Sequence, residues 1–210
     1  MKIATFGCSW SQGLSTVDDA YCWPKALAEN KQYQVDNFAL AGSSLSFQAY
    51  LLDDVLKHNT YDKVIFQITS PQRLTYFDDS LDYGKYLRLY NNYRELDRSG
   101  DIYRNFICIT PGHLNLSKKD SFWNFPDKHD FASLYYKYVN KHVQRTEYKA
   151  VIEYVKNKVD FLFFHNEDVC KIGNIPIVID QLGTSYIADR GQHFNKQGSR
   201  LVAEWIMEKI

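Results

Sequence analysis

The sequence predicts an α/β protein, a three-layer α/β/α domain built on a parallel sheet of about five strands. Three observations carry this expectation. Short runs rich in β-branched and aromatic residues recur along the chain, amphipathic helical patterns separate them, and the chain closes on one more such helix. Residues 2–6 form the first apolar run and 34–38 the second, with 63–68, 159–164 and 175–179 following. Pro24 to Asn30 reads as a helix because proline is tolerated in a first turn. Leu45 to His58 pairs Leu51 with Val55 and Leu52 with Leu56, and Thr146 to Lys158 pairs Val151 with Val155. In the last segment, Lys196 to Ile210, Leu201 meets Trp205, Val202 meets Ile206, and Ile210 lies one turn further on.

The rhythm breaks between residues 74 and 147, where turn signals such as Ser99-Gly100-Asp101 and Thr110-Pro111-Gly112 replace clean strands. Most of the sixteen tyrosines fall there, and Tyr83, Tyr86, Tyr90 and Tyr93 keep near-helical spacing. The interval reads as a Tyr-rich insertion within one domain spanning 1–210. Tyrosine offers flat apolar area with a hydroxyl, so the insertion is either a helix burying its rings or a wall for a sugar or a protein partner.

A chain of 210 residues can bury roughly 70 % of the surface its unfolded form exposes, enough for a core without staples. Lysine plus arginine equals aspartate plus glutamate at 25 each, so no net field draws it to nucleic acid or an anionic membrane. No apolar run approaches ~18 residues, and the N-terminal run is too short for a signal peptide; the expected location is the cytoplasm. Cys8, Cys22, Cys108 and Cys170 lack CxxC spacing and the histidines lack HExxH spacing, so no metal is expected. The Gly7 to Gly13 loop has neither a Gly-Lys-Ser/Thr ending nor a G-x-G-x-x-G pattern, and no nucleotide cofactor is expected.

The chemistry concentrates at two places. Phe6-Gly7-Cys8-Ser9-Trp10 comes straight off the first strand, and Asp189-Arg190-Gly191-Gln192-His193-Phe194-Asn195 precedes the final helix. A serine hydroxyl attacks only if a neutral imidazole removes its proton, and His193 is the base best placed in sequence. In an open α/β sheet ligands gather beyond the carboxyl ends of the strands, where both Ser9 and His193 emerge. Asp189 is the acid that would hold the imidazole by its other nitrogen. Cys8 is the competing nucleophile, since thiolate attacks better than alcohol, but strand alternation points it away from Ser9.

These blocks, in this order, resemble the SGNH hydrolases, also called the GDSL esterase and lipase family, across the whole chain. Phe6-Gly7-Cys8-Ser9 is similar to the block that carries the nucleophile, with cysteine where the family has aspartate. Asn37-Phe38-Ala39-Leu40-Ala41-Gly42-Ser43-Ser44 resembles the second block, and Asp189 to Gly198 the last. Short members from bacteria and their phages share the Gly-Cys-Ser opening and a Thr-x-x-x-Arg third block like Thr69 to Arg73. The resemblance implies a flavodoxin-like fold and a Ser9-His193-Asp189 triad in the cytoplasm of a bacterium or a phage's host. The oxyanion hole it implies is made by the N–H groups of Ser9 and Gly42. Two departures stand out. Asp189 lies four residues before His193 where the family has three, and the third block, Gln67 to Arg73, lacks the family's asparagine, leaving Thr69, Ser70 or Arg73 as donors. The implied activity is serine-dependent hydrolysis of a small acyl ester on a carbohydrate or other polar molecule. The alternative from another class is a non-catalytic module binding a glycan or protein through residues 74–147.

Overall fold

The structure, a computed structural model, describes residues 1–13, 21–77, 106–109, 114, 126–139, 141–163 and 193–210. In chain order these form β1 (Lys2–Phe6), α1 (Ser9–Gln12), α2 (Trp23–Ala28), β2 (Gln34–Asn37), α3 (Leu45–His58) and β3 (Lys63–Gln67). Then come β4 (Leu74–Phe77), β5 (Phe106–Ile109), α4 (Pro126–Tyr138), α5 (Lys141–Lys156), β6 (Phe161–Phe163) and α6 (Lys196–Met207).

The main sheet is parallel throughout, in the order β2-β1-β3-β6. The chain reverses direction of winding at β1, so the topological switch point lies between the carboxyl ends of β1 and β3. This is the expected α/β class, with four strands in the main sheet among the described residues; the expected strand at 175–179 lies outside them. So do the helical tyrosines Tyr83, Tyr86, Tyr90 and Tyr93.

Alternation along the two central strands sorts side chains to opposite faces. Ala4, Phe6, Val64 and Phe66 pack under α3 and α5 with Leu51, Leu52, Val55, Ile152 and Val155. Ile3 and Ile65 face the other way, onto Trp23 and Leu27 of α2 and Val202, Ala203 and Ile206 of α6. Helices therefore cover both faces, and the sheet is the middle of three layers. Trp205 of α6 meets Phe161 of β6 edge-on with ring centroids 5.1 Å apart.

Helix α3 keeps the expected bounds because its apolar face is continuous and Ser44 caps it, accepting from the Phe47 N–H at 3.2 Å. Helix α5 starts at Lys141, five residues before the expected start, because its opening turn carries no buried apolar stripe to betray it; Val143 there is exposed. Helices α2 and α6 end earlier than expected, at Ala28 and Met207. Strand β6 is trimmed to three residues. Within 74–147, where turns rather than strands were expected, β4 and β5 pair antiparallel as a separate two-stranded sheet, Leu74 opposite Ile109. Such pairing is long-range and leaves no local pattern to read.

At the amino edge of the sheet, Lys2 reaches Asp36 at 3.6 Å and Tyr61 donates to the same carboxylate at 2.9 Å. Burial, reinforced by that carboxylate, holds the Tyr61 hydroxyl above the usual phenol range.

The carboxyl edge is held by a polar knot. The Ser11 hydroxyl bonds Gln67 at the end of β3 and accepts from the Trp23 indole N–H of α2 at 3.0 Å. All three side chains are fully buried. Gly7, just past β1, lies beneath them with φ of 155° and no room for a side chain. A Cβ there would sit 2.4 Å from Ser11 Oγ and 3.0 Å from Gln67 Cβ.

Two expectations follow from this knot. Gly7→Ala forces both the overpacking and an unfavourable backbone, and should lower stability by about 1–3 kcal/mol in urea unfolding followed by tryptophan fluorescence. Ser11→Ala strips the partner from a buried indole N–H and a buried amide, and the same titration should show a loss of about 1–3 kcal/mol.

Candidate active site

Ser9 is the first residue of α1, which begins two residues after Gly7. Cys8 is its extended N-cap and is completely buried, whereas Ser9 is half-buried. Of the two neighbouring nucleophile types, the hydroxyl is thus the one open to a ligand. Gly7, at φ of 155°, opens the short turn between β1 and α1, and Gly13, at 86°, is the left-handed C-cap that ends α1. As the helix's opening residue Ser9 keeps its backbone N–H free of any acceptor among the described residues.

Gly42 sits in the turn between β2 and α3 with φ of 74°, a left-handed conformation that glycine adopts without steric cost. Its N–H also has no acceptor among the described residues. Three hydrogen bonds tie this turn to the Ser9 segment: Leu40 N–H to Gly7 O at 3.0 Å, Ser43 Oγ to Gly7 O at 3.4 Å, and Ala41 N–H to Gln12 Oε1 at 2.6 Å. Asn37, ending β2, donates to the Ser11 carbonyl at 2.7 Å. Gln48 completes the clasp from α3, accepting from Gly7 N–H at 3.2 Å and donating to Ser43 Oγ at 2.9 Å. The two backbone donors therefore belong to one cross-linked edge.

His193 reaches the same edge through the packing of its neighbours. Phe194 is buried and meets Trp10, the residue after Ser9, edge-on at 4.3 Å, and the His193 ring lies 5.7 Å from that indole. Asn195 caps α6 by accepting from Gly198 N–H at 2.8 Å. Lys196 and Arg200, one turn apart on α6, both lie over the Tyr21 ring, at 5.2 and 5.7 Å from its centroid. Arg200 also donates to the Tyr21 hydroxyl at 3.2 Å. Burial is the largest influence on that phenol and raises its pKa. The start of α6, and with it His193, is fixed to the Ser9 side of the sheet. No hydrogen bond joins the Ser9 hydroxyl to His193 in this conformation. Asp189 lies outside the described residues.

The third block follows β3. Thr69 is buried and its hydroxyl donates to the Ser43 carbonyl at 3.2 Å, so that donor is occupied in holding the Gly42 turn. Ser70 is half-buried, its oxygen only a distant acceptor for Gln72 N–H at 3.5 Å. Arg73 is half-buried, with Nη1 inaccessible and without a partner. Among the described residues no cluster of three histidine, cysteine or carboxylate groups could hold a metal, and no helix is long and apolar enough to cross a membrane.

Gln67, Gln48, Ser11 and Asn37, which shape this edge, escaped the reading of the sequence. Their signal was present, since Gln67 ends an apolar strand and Gln48 falls on the apolar face of α3. A polar residue at a core position asks for a buried partner.

No protein-family model matches the chain, and no curated protein matches it. Among solved structures it is similar to a member of the lipolytic protein G-D-S-L family from Veillonella parvula DSM 2008. That likeness has 14 % identity and a TM-score of 0.47, over 99 % of this chain and 97 % of that one. It is also similar to the acetyl xylan esterase AlAXEase, at 15 % identity and a TM-score of 0.43, over the whole of both chains.

Proposed function

We propose that the protein is a serine esterase that removes a small acyl group, of the acetyl type, from a carbohydrate or similar polar molecule. What supports this reading is the convergence at one sheet edge of a half-exposed Ser9, two free backbone donors from Ser9 and Gly42, and the His193 imidazole. Ser9 Oγ attacks the ester carbonyl carbon while His193 takes its proton. The carbonyl oxygen becomes an oxyanion received by the N–H groups of Ser9 and Gly42, with Ser70 in support. The intermediate collapses, the alcohol leaves with the proton returned by His193, and water repeats the sequence on the acyl-enzyme. Asp189 orients the imidazole and stabilises its charged form.

One observation favours a second reading, a binding module that recognises a glycan or protein through the tyrosine-rich interval: the Ser9 hydroxyl is not bonded to His193. Catalytic hydrogen bonds are often long before substrate binds, and the esterase reading accommodates this geometry as well.

Intact-mass analysis after exposure to a fluorophosphonate separates the two. The esterase takes up one phosphonyl group per chain, Ser9→Ala takes up none, and His193→Ala reacts far more slowly. Turnover of p-nitrophenyl acetate should fall about 10⁴-fold or more in the serine variant, the scale seen when a nucleophile is removed. A folded wild type that stays unlabelled leaves the binding module as the reading.

A further inference from the structure

Among the described residues the Arg73 guanidinium stands apart in holding a buried nitrogen without a partner. Four other cations meet carboxylates: Lys2 with Asp36, Lys63 with Asp160, Lys158 with Asp53, and Arg200 with Glu29. Among the described residues Arg73 has no ion pair and no side-chain hydrogen bond, and its Nη1 is shut off from solvent. Among the described residues just one other buried side-chain polar atom is left unpaired, Ser199 Oγ, and it is uncharged. A desolvated cationic donor without an acceptor is costly, so its retention calls for an anion that binds it.

The segment bearing Arg73 is held from several sides before any ligand arrives. Tyr136 donates to the Gln72 carbonyl at 2.6 Å, and Gln144 to that of Pro71 at 2.8 Å. Tyr148 bonds the Thr69 carbonyl, and Arg73 N–H reaches Ser70 O at 3.4 Å. Two residues further on, Thr75 Oγ1 accepts from Ser44 N–H at 2.8 Å, joining this stretch to the Gly42 turn. The backbone that bears Arg73 is therefore tied to the Gly42 turn and has little freedom to re-aim the side chain. Its planar fork of five donors matches two oxygens of a carboxylate or phosphate, more than a single oxyanion oxygen can use.

We propose that Arg73 binds a carboxylate or phosphate group carried by the substrate, so that the preferred ester is an anionic one. This rests on the esterase reading and narrows its substrate class.

The test uses full-length wild type and Arg73→Met. Without ligand, Arg73→Met should melt at the same temperature or higher, since it removes an unpaired buried donor. Inorganic phosphate or benzoate at constant ionic strength should raise the wild-type melting temperature saturably and leave the variant's unmoved. In turnover, the ratio of kcat/KM for 4-acetoxybenzoate over its methyl ester should fall about tenfold or more in the variant, the scale of a charged hydrogen bond. An equal fall on both esters makes Arg73 an oxyanion donor and overturns the inference. So does a variant that melts lower in the absence of ligand while keeping the anion response. If the fluorophosphonate fails to label Ser9 but the anion response still requires Arg73, the esterase reading falls and the anion site stands. If labelling succeeds and neither the melting response nor the ester ratio depends on Arg73, the reverse holds.

Discussion

The carboxyl edge of the sheet hangs on one buried hydroxyl. Ser11 Oγ bonds Gln67 and Trp23 and thereby joins α1, β3 and α2 at a point that no solvent reaches. Because that hydroxyl occupies the space above residue 7, only glycine fits there, and because glycine is there the chain can leave β1 and enter α1 within two residues. Ser9 emerges at the switch point as a result. Hydrophobic burial is non-directional, but a hydrogen-bonded triplet in a dry site has one satisfactory geometry.

The same economy extends across the edge. Gln48, Gln12 and Asn37 each reach from their own element to a backbone group of a neighbouring segment, so the Ser9 segment and the Gly42 turn cannot shift independently. Apolar side chains of the outer layers set the sheet and its helices in place to the accuracy that packing allows. Polar side chains then adjust the loops on which chemistry depends. Arg73 is the departure from this pattern, a cation with a buried nitrogen that nothing among the described residues satisfies.

What could be read from the sequence follows the range of the interactions concerned. Strands β1 and β3 are buried on both faces and show as apolar runs, and α3 shows its bounds through a continuous stripe and a serine cap. The first turns of α5 are polar and exposed, so nothing local marks them, and α1 is too short to have a period. The β4–β5 pair depends on partners some thirty residues apart, which no window along the chain detects. As candidates, Ser9 and Gly42 could be read from motifs that follow the first two strands, and His193 from the motif that precedes the last helix. The glutamines that hold them could not, since their partners become neighbours only in the folded chain.

The burial of Cys8 and Cys22 has a consequence for the setting in which the site works. Both thiols lie outside any disulfide and are enclosed in the core, one as the cap of α1 and the other as the cap of α2. Oxidants and alkylating reagents meet a thiol as thiolate at an accessible surface, so these two react only when the core opens. The residue open to ligands beside Cys8 is an alcohol, which mild oxidants leave untouched. At this edge the sulfur of Cys8 serves as packing, and the oxygen of Ser9 is the group left accessible.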